Sequence, residues 1–243
     1  MTLDLPSSIF VLRNNDLGDV LVTTPLLAGL RKAFPEARIS VGVGNWSKSL
    51  LENNPAVDKI INCNAPWHNK QNCKYPANSP KTFLEGLYYS LFSKEACFIR
   101  KQKFSHGIDV LGSRQGSWLL RCAGIPNRFG VKGYAGGDSW CQKSVSFEES
   151  RKVAEAALDF LRLLGSDEKI DPRPKIYLED NEITRFSKIS EKFVLARMKV
   201  IKYSHMLTPI IEIITAIGIT AAIFQASQQS IHLDAVIPVI VAL

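Results

Sequence analysis

Ile9-Phe-Val-Leu12 is a short apolar run of the kind that forms a strand buried on both faces of a parallel sheet. A polar stretch, Arg13-Asn-Asn-Asp-Leu-Gly-Asp19, follows it. From Val20 to Phe34 apolar residues return at helical spacing through Leu27, Leu30 and Phe34. Pro25 either kinks this helix or opens it, with Thr24 as N-cap. Further strands are predicted at 38–43, 57–61 and 107–111, with a candidate strand at 128–131 and a last one at 175–178. Helices are predicted over 46–52, 82–103, 113–123 and 148–164. Residues 62–81 read as a surface loop, and the Gly-rich stretch 133–146 as irregular. Strands alternating with helices predict βαβ units: an α/β fold with a doubly wound parallel sheet.

The texture changes near residue 182, so two domains are expected, 1–181 and 182–243. Residues 182–202 form a basic helical stretch. Residues 206–224 then hold one charge, Glu212, and are followed by a polar turn at 225–232 and an apolar run at 236–243. Nineteen residues approach the roughly 20 that span a bilayer. Positive charges precede this run and none follows it, the pattern of entry from the cytoplasmic side. A transmembrane helix over 206–224 is the expectation, with a buried helix as the alternative. Pro209 is tolerable in a spanning helix, whereas Glu212 is costly there unless it faces protein or water.

The 243 residues are 46% apolar and 22% charged, which excludes disorder and fibrous repeats. The net charge of +7 invites a nucleic-acid reading. Residues 184–243, however, carry six Lys/Arg against three acids, and those of 185–202 lie beside the apolar run. Anionic lipid headgroups explain them better, so no nucleic-acid partner is expected. The five cysteines are odd in number and scattered, which predicts free thiols in a reducing compartment. No signal peptide is visible at the N-terminus, so the first domain is expected to be cytoplasmic.

Asp19 stands where a strand's carboxyl end meets the next helix, the place at which open α/β sheets bind ligands. It is either a helix N-cap or a general base that takes a proton from an attacking hydroxyl. Gly18 allows close backbone approach. A lone Gly is not the G-x-G-x-x-G fingerprint and no Walker lysine is present, so a dinucleotide dehydrogenase or a P-loop enzyme is not supported. Lys70, Lys74, Lys81 and the basic residues of 100–103 read as solvated surface rather than ligand contacts. Trp67 and Trp140, in expected loops, are placed to stack on a ligand ring, whereas Trp118 reads as core. His68 and His106 have no assigned partner.

The run from Ile9 to Leu27, with Asn14-Asn-Asp-Leu-Gly-Asp19 and Thr23-Thr-Pro25, resembles the opening of family 9 glycosyltransferases, the heptosyltransferases of lipopolysaccharide core synthesis. Leu30-Arg-Lys-Ala-Phe-Pro35, Asn54-Pro-Ala-Val-Asp58, Ile108-Asp-Val-Leu111 and Cys122-Ala-Gly-Ile-Pro-Asn-Arg-Phe-Gly130 continue the likeness over residues 8–180. The resemblance implies the Rossmann-like N-terminal domain of a GT-B glycosyltransferase, which binds the acceptor. It implies inverting transfer of a sugar from an ADP-heptose-like nucleotide-sugar to a lipopolysaccharide-core acceptor, without metal or other cofactor. Asp19 falls on the family's base, and Gly18, Thr23 and Thr24 line the acceptor side. The setting implied is the cytoplasmic face of the inner membrane, with membrane lipid as a further partner.

Nothing after Asp180 resembles the donor-binding domain of that family, so impaired catalysis is expected. Residues 184–243 instead resemble part of the membrane domain of ABC exporters of the lipid-flippase type, carried by Arg185-Phe-Ser-Lys-Ile-Ser-Glu-Lys-Phe-Val-Leu-Ala-Arg-Met-Lys199 and Thr208-Pro-Ile-Ile-Glu-Ile-Ile214. A junction is therefore expected at 180–186, from a gene fusion, deletion or frameshift between neighbouring genes or from an assembly error. The alternatives to an enzyme are a non-catalytic, membrane-tethered binding module and an exporter fragment.

Overall fold

The computed structural model describes residues 5–76 and 79–228. The chain divides into two compact units, Met1–Leu178 and Glu179–Leu243. The first is built on six strands: β1 (Ser8–Leu12), β2 (Arg38–Val43), β3 (Lys59–Asn62), β4 (His106–Asp109), β5 (Asn127–Lys132) and β6 (Lys143–Ser146). All neighbours pair in parallel, in the order β3-β2-β1-β4-β5-β6. This is a Rossmann-like sheet.

Successive residues of β1 feed opposite layers, as a strand's two-residue period requires. Ile9 and Val11 enter one core, with Leu27 and Leu30 of helix α2 (Thr24–Ala33) and Phe160 of α7 (Asp159–Leu163). Phe10 and Leu12 enter the other, with Trp67, Phe104 and Leu119 of α5 (Arg114–Cys122). Every side chain of β1 is buried, which is why its sequence shows no polar alternation.

Several boundaries differ from the sequence expectations, each for a local reason. The helix expected over 82–103 is two helices, α3 (Pro80–Phe92) and α4 (Lys94–Lys101). Ser93 is extended between them, and its hydroxyl caps α4 by accepting from the Ala96 N–H. The helix expected over 148–164 is also split, into α6 (Val153–Ala157) and α7. Residues 46–52 yield a 3-10 helix at Asn45–Leu50. Within the stretch expected to be irregular, residues 143–146 pair with β5 as the edge strand β6. Residues 175–178 are not a strand; the Lys175 N–H bonds the Thr24 hydroxyl at 3.0 Å instead. Pro25 is accommodated by a break: α1 (Leu17–Leu21) ends, and α2 starts with Pro25 in its first turn and Thr23, not Thr24, at the N-cap.

In the second unit, Asp180–Gln228 is one 49-residue helix, α8, where two were expected. The transmembrane helix expected over 206–224 is not found: among the described residues no helix is long and apolar enough to cross a membrane. The apolar run is the distal part of a helix whose middle turns, from residue 185 on, are basic, and Glu212 stands exposed within it. Residues 229–243, which include the apolar run 236–243, lie outside the described residues.

Candidate functional site

The strand order reverses between β1 and β4, so their carboxyl ends flank the sheet's topological switch point. The loop leaving β1 is stitched down from several directions. The Arg13 N–H bonds the Gly42 carbonyl at 2.9 Å. The side-chain amides of Asn14 and Asn15 donate to the carbonyls of Trp67 and His68 at 3.1 and 2.6 Å. Trp46 Nε1 donates to the Asn15 carbonyl at 2.8 Å. The polar run that reads as a plain loop is therefore a rigid platform for α1.

On this platform Arg13 Nη2 donates to Asp19 Oδ1 at 2.9 Å, and Arg13 Nε donates to the Asp19 carbonyl at 3.3 Å. The Arg13 side chain is only 5% exposed and that of Asp19 is 43% exposed, so a buried cation holds an open carboxylate. This corrects the capping alternative for Asp19. Asp16 occupies the residue before α1, no side chain caps that helix, and the Asp19 carboxylate is directed to Arg13.

Asp109, the last residue of β4, is a second carboxyl at the switch point. Its Oδ2 accepts from the Ser113 N–H at 2.9 Å, and Ser113 in turn caps α5 through the Gly116 N–H. Burial pushes its pKa up to about 7, against the opposing pull of the Ser113 and Gly112 N–H groups and of Arg13. Desolvation likewise lowers Arg13 from the usual guanidinium range, with Asp19 and Asp109 opposing. His68 is lowered by burial and by Arg13, which favours its neutral form.

A cavity of about 400 Å³ opens here, lined among others by Arg13, Asp19, His68, Tyr134, Glu148 and Arg151. Tyr134 and Phe147 pack with tilted rings, centroids 4.8 Å apart, and are 54% and 44% exposed at its edge. Arg151 is anchored at 2.6 Å by Asp159. The arrangement combines a fixed carboxylate, cationic groups and an aromatic surface, the equipment for binding a polar, hydroxylated ligand.

Of the residues singled out in the sequence, Asp19 lines this cavity, and Asp19 and Gly18 line an adjoining one. Thr23 and Thr24 are buried, with hydroxyls bonded to the carbonyls of Asp19 and Leu21 at 2.9 and 2.8 Å. Trp67 is fully buried against Tyr89 and cannot stack on a ligand, which corrects the expectation for it. Trp140 is half-buried against Trp118, with the Arg121 guanidinium 4.8 Å from its ring. Trp118 is half-buried rather than core. Lys70, Lys74, Lys81 and Arg100 are exposed and do not line the cavity. All five cysteines are free, and burial raises Cys63 and Cys141 to about 12, so both are protonated thiols.

Arg13, Asp109, Tyr134, Glu148 and Arg151 were missed by the sequence reading. Arg13 carried a usable signal, because it directly follows the first expected strand, whereas Asp109 fell in the middle of the strand expected over 107–111 and ends it only in the structure. Arg151 carried none, since its place depends on a chain reversal after β6.

No family model and no curated protein matches the chain. Solved structures do. A glycosyl transferase of family 9 from Veillonella parvula aligns over 79% of this chain and 51% of its own, at 21% identity and a TM-score of 0.59. ADP-heptose lipopolysaccharide heptosyltransferase II of E. coli aligns over 73% and 49%, at 16% identity and 0.53. The E. coli heptosyltransferase WaaC with ADP aligns over 68% and 50%, at 13% identity and 0.51. At these identities the likeness is one of fold. The exporter resemblance of residues 184–243 finds no support among these structures. The chain spans about half the length of the solved structures it matches.

Proposed function

We propose that the first unit is the acceptor-side domain of an inverting GT-B glycosyltransferase of the heptosyltransferase type. The observation that carries this reading is the Asp19 carboxylate, open to a cavity at the switch point and fixed from below by buried Arg13. In this reading an acceptor hydroxyl of the lipopolysaccharide core gives its proton to Asp19 as its oxygen attacks the anomeric carbon of an ADP-heptose-like donor. The new glycosidic C–O bond forms as the anomeric C–O bond to phosphate breaks, and the nucleoside diphosphate leaves with that electron pair. Arg13 keeps the base in place, which limits the reorganisation the step requires. The Tyr134–Phe147 pair offers a face for a sugar ring, and Arg151 offers a charge for an acidic acceptor group. Gly18 leaves room for the acceptor beside the base, while Thr23 and Thr24 hold the turn that carries it. No metal is needed, and the reaction belongs at the cytoplasmic face of the inner membrane.

Transfer from ADP-heptose to a lipopolysaccharide precursor tests the reading. Asp19→Asn lowers the rate by roughly 10²–10⁴-fold, the usual contribution of a general base, while acceptor affinity changes little. Undiminished transfer by Asp19→Asn removes the base assignment. A second reading is acceptor binding without turnover, for which the cavity and the exposed Tyr134–Phe147 pair suffice. It predicts precursor binding by the unsubstituted chain with no product when donor is added.

A further inference from the structure

Residues 187–195 of α8 carry a basic and an apolar stripe. Lys188 and Lys192 stand four positions apart, which places them on one face of the helix. Ile189 and Phe193 repeat that spacing, each one residue after a lysine, so an apolar stripe runs alongside the basic stripe, and Val194 and Leu195 are exposed as well. Arg197 falls outside the basic stripe, and Glu191 is the one acid between 183 and 202. Ile189 and Phe193 are 57% and 65% exposed, and Lys188 and Lys192 are exposed beside them.

Large apolar side chains held open in this density mark a surface that meets a partner. The partner has to offer an apolar phase and negative charge along adjacent lines. A nucleic acid satisfies the lysines but leaves Ile189 and Phe193 in water. A second copy of the helix brings like charge toward like charge. An anionic lipid surface offers both, with acyl chains under the apolar stripe and headgroups at the level of the ammonium groups.

We propose that residues 187–195 form an in-plane helix that binds an anionic lipid surface, lying on the bilayer instead of crossing it. This is independent of any transferase activity. Flotation of the full chain with vesicles of phosphatidylglycerol and phosphatidylcholine, against phosphatidylcholine alone, tests it. The expected result is at least about tenfold tighter binding to the anionic vesicles, released by high salt. Lys188→Glu with Lys192→Glu abolishes the anionic preference, and Ile189→Ser with Phe193→Ser weakens binding, neither pair altering the melting of the α/β unit. Equal or absent binding to the two vesicles, retention through high salt, or insensitivity to both pairs of substitutions overturns the proposal. So does tighter binding to duplex DNA than to the anionic vesicles.

Discussion

A carboxyl group at the end of a central strand changes character with its surroundings, and the two at this switch point differ. Asp19 is open and held by Arg13, whereas Asp109 is sealed among backbone N–H groups. With a folded pKa near 7 against an ordinary value of 3.8, Asp109 binds its proton more tightly when folded. That contribution to stability is complete below pH 4 and is lost as pH rises toward 7, and it amounts to at most about 4 kcal/mol. Asp109→Asn keeps an acceptor for the Ser113 N–H and cannot ionise. The difference in melting temperature between variant and wild type is therefore expected to grow in the variant's favour from pH 5 to pH 8. A parallel pair of melting curves across that range would show that Asp109 does not titrate there. The motif around Asp19 was readable from sequence because it is local. Its partnership with Arg13 was not, since the backbone turn that joins positions six apart is set by contacts to Gly42 and Trp67.

Among the elements, β4, β5 and the Gly-rich segment after β5 meet so closely that backbone touches backbone. A Cβ at Gly137 would lie 2.1 Å from the Gly112 carbonyl carbon, and Gly112 itself has φ +75°. Neither atom can give way without moving the strand ends that form the cavity wall. Gly137→Ala is expected to destabilise the α/β unit by about 3 kcal/mol or more in denaturant melts. Ser113→Ala removes only the cap of α5 and is expected to cost about 1 kcal/mol in the same measurement. Strands and helices of the first half were legible because burial on both faces and helical periodicity leave plain patterns. The split at Ser93 and the edge strand β6 were not: short polar segments follow whichever neighbour completes their hydrogen bonds.

For the molecule as a whole, the first unit has its own two cores and is expected to fold alone. A chain ending after Leu178 is expected to melt in one transition within about 3 °C of the α/β transition of the full chain; a broad, non-cooperative transition would show that the core needs the remaining residues. The hydrophobic pattern by itself determined that a parallel α/β sheet forms and that a basic and then apolar helical stretch comes after it. Those outcomes depend on period and composition, which every residue of an element shares. Tertiary structure alone decided which side chains face one another: Arg13 under Asp19, Asp109 at the switch point, Tyr134 beside Phe147 and Trp67 inside the core. Such juxtapositions join residues distant in the chain, and no local period records them.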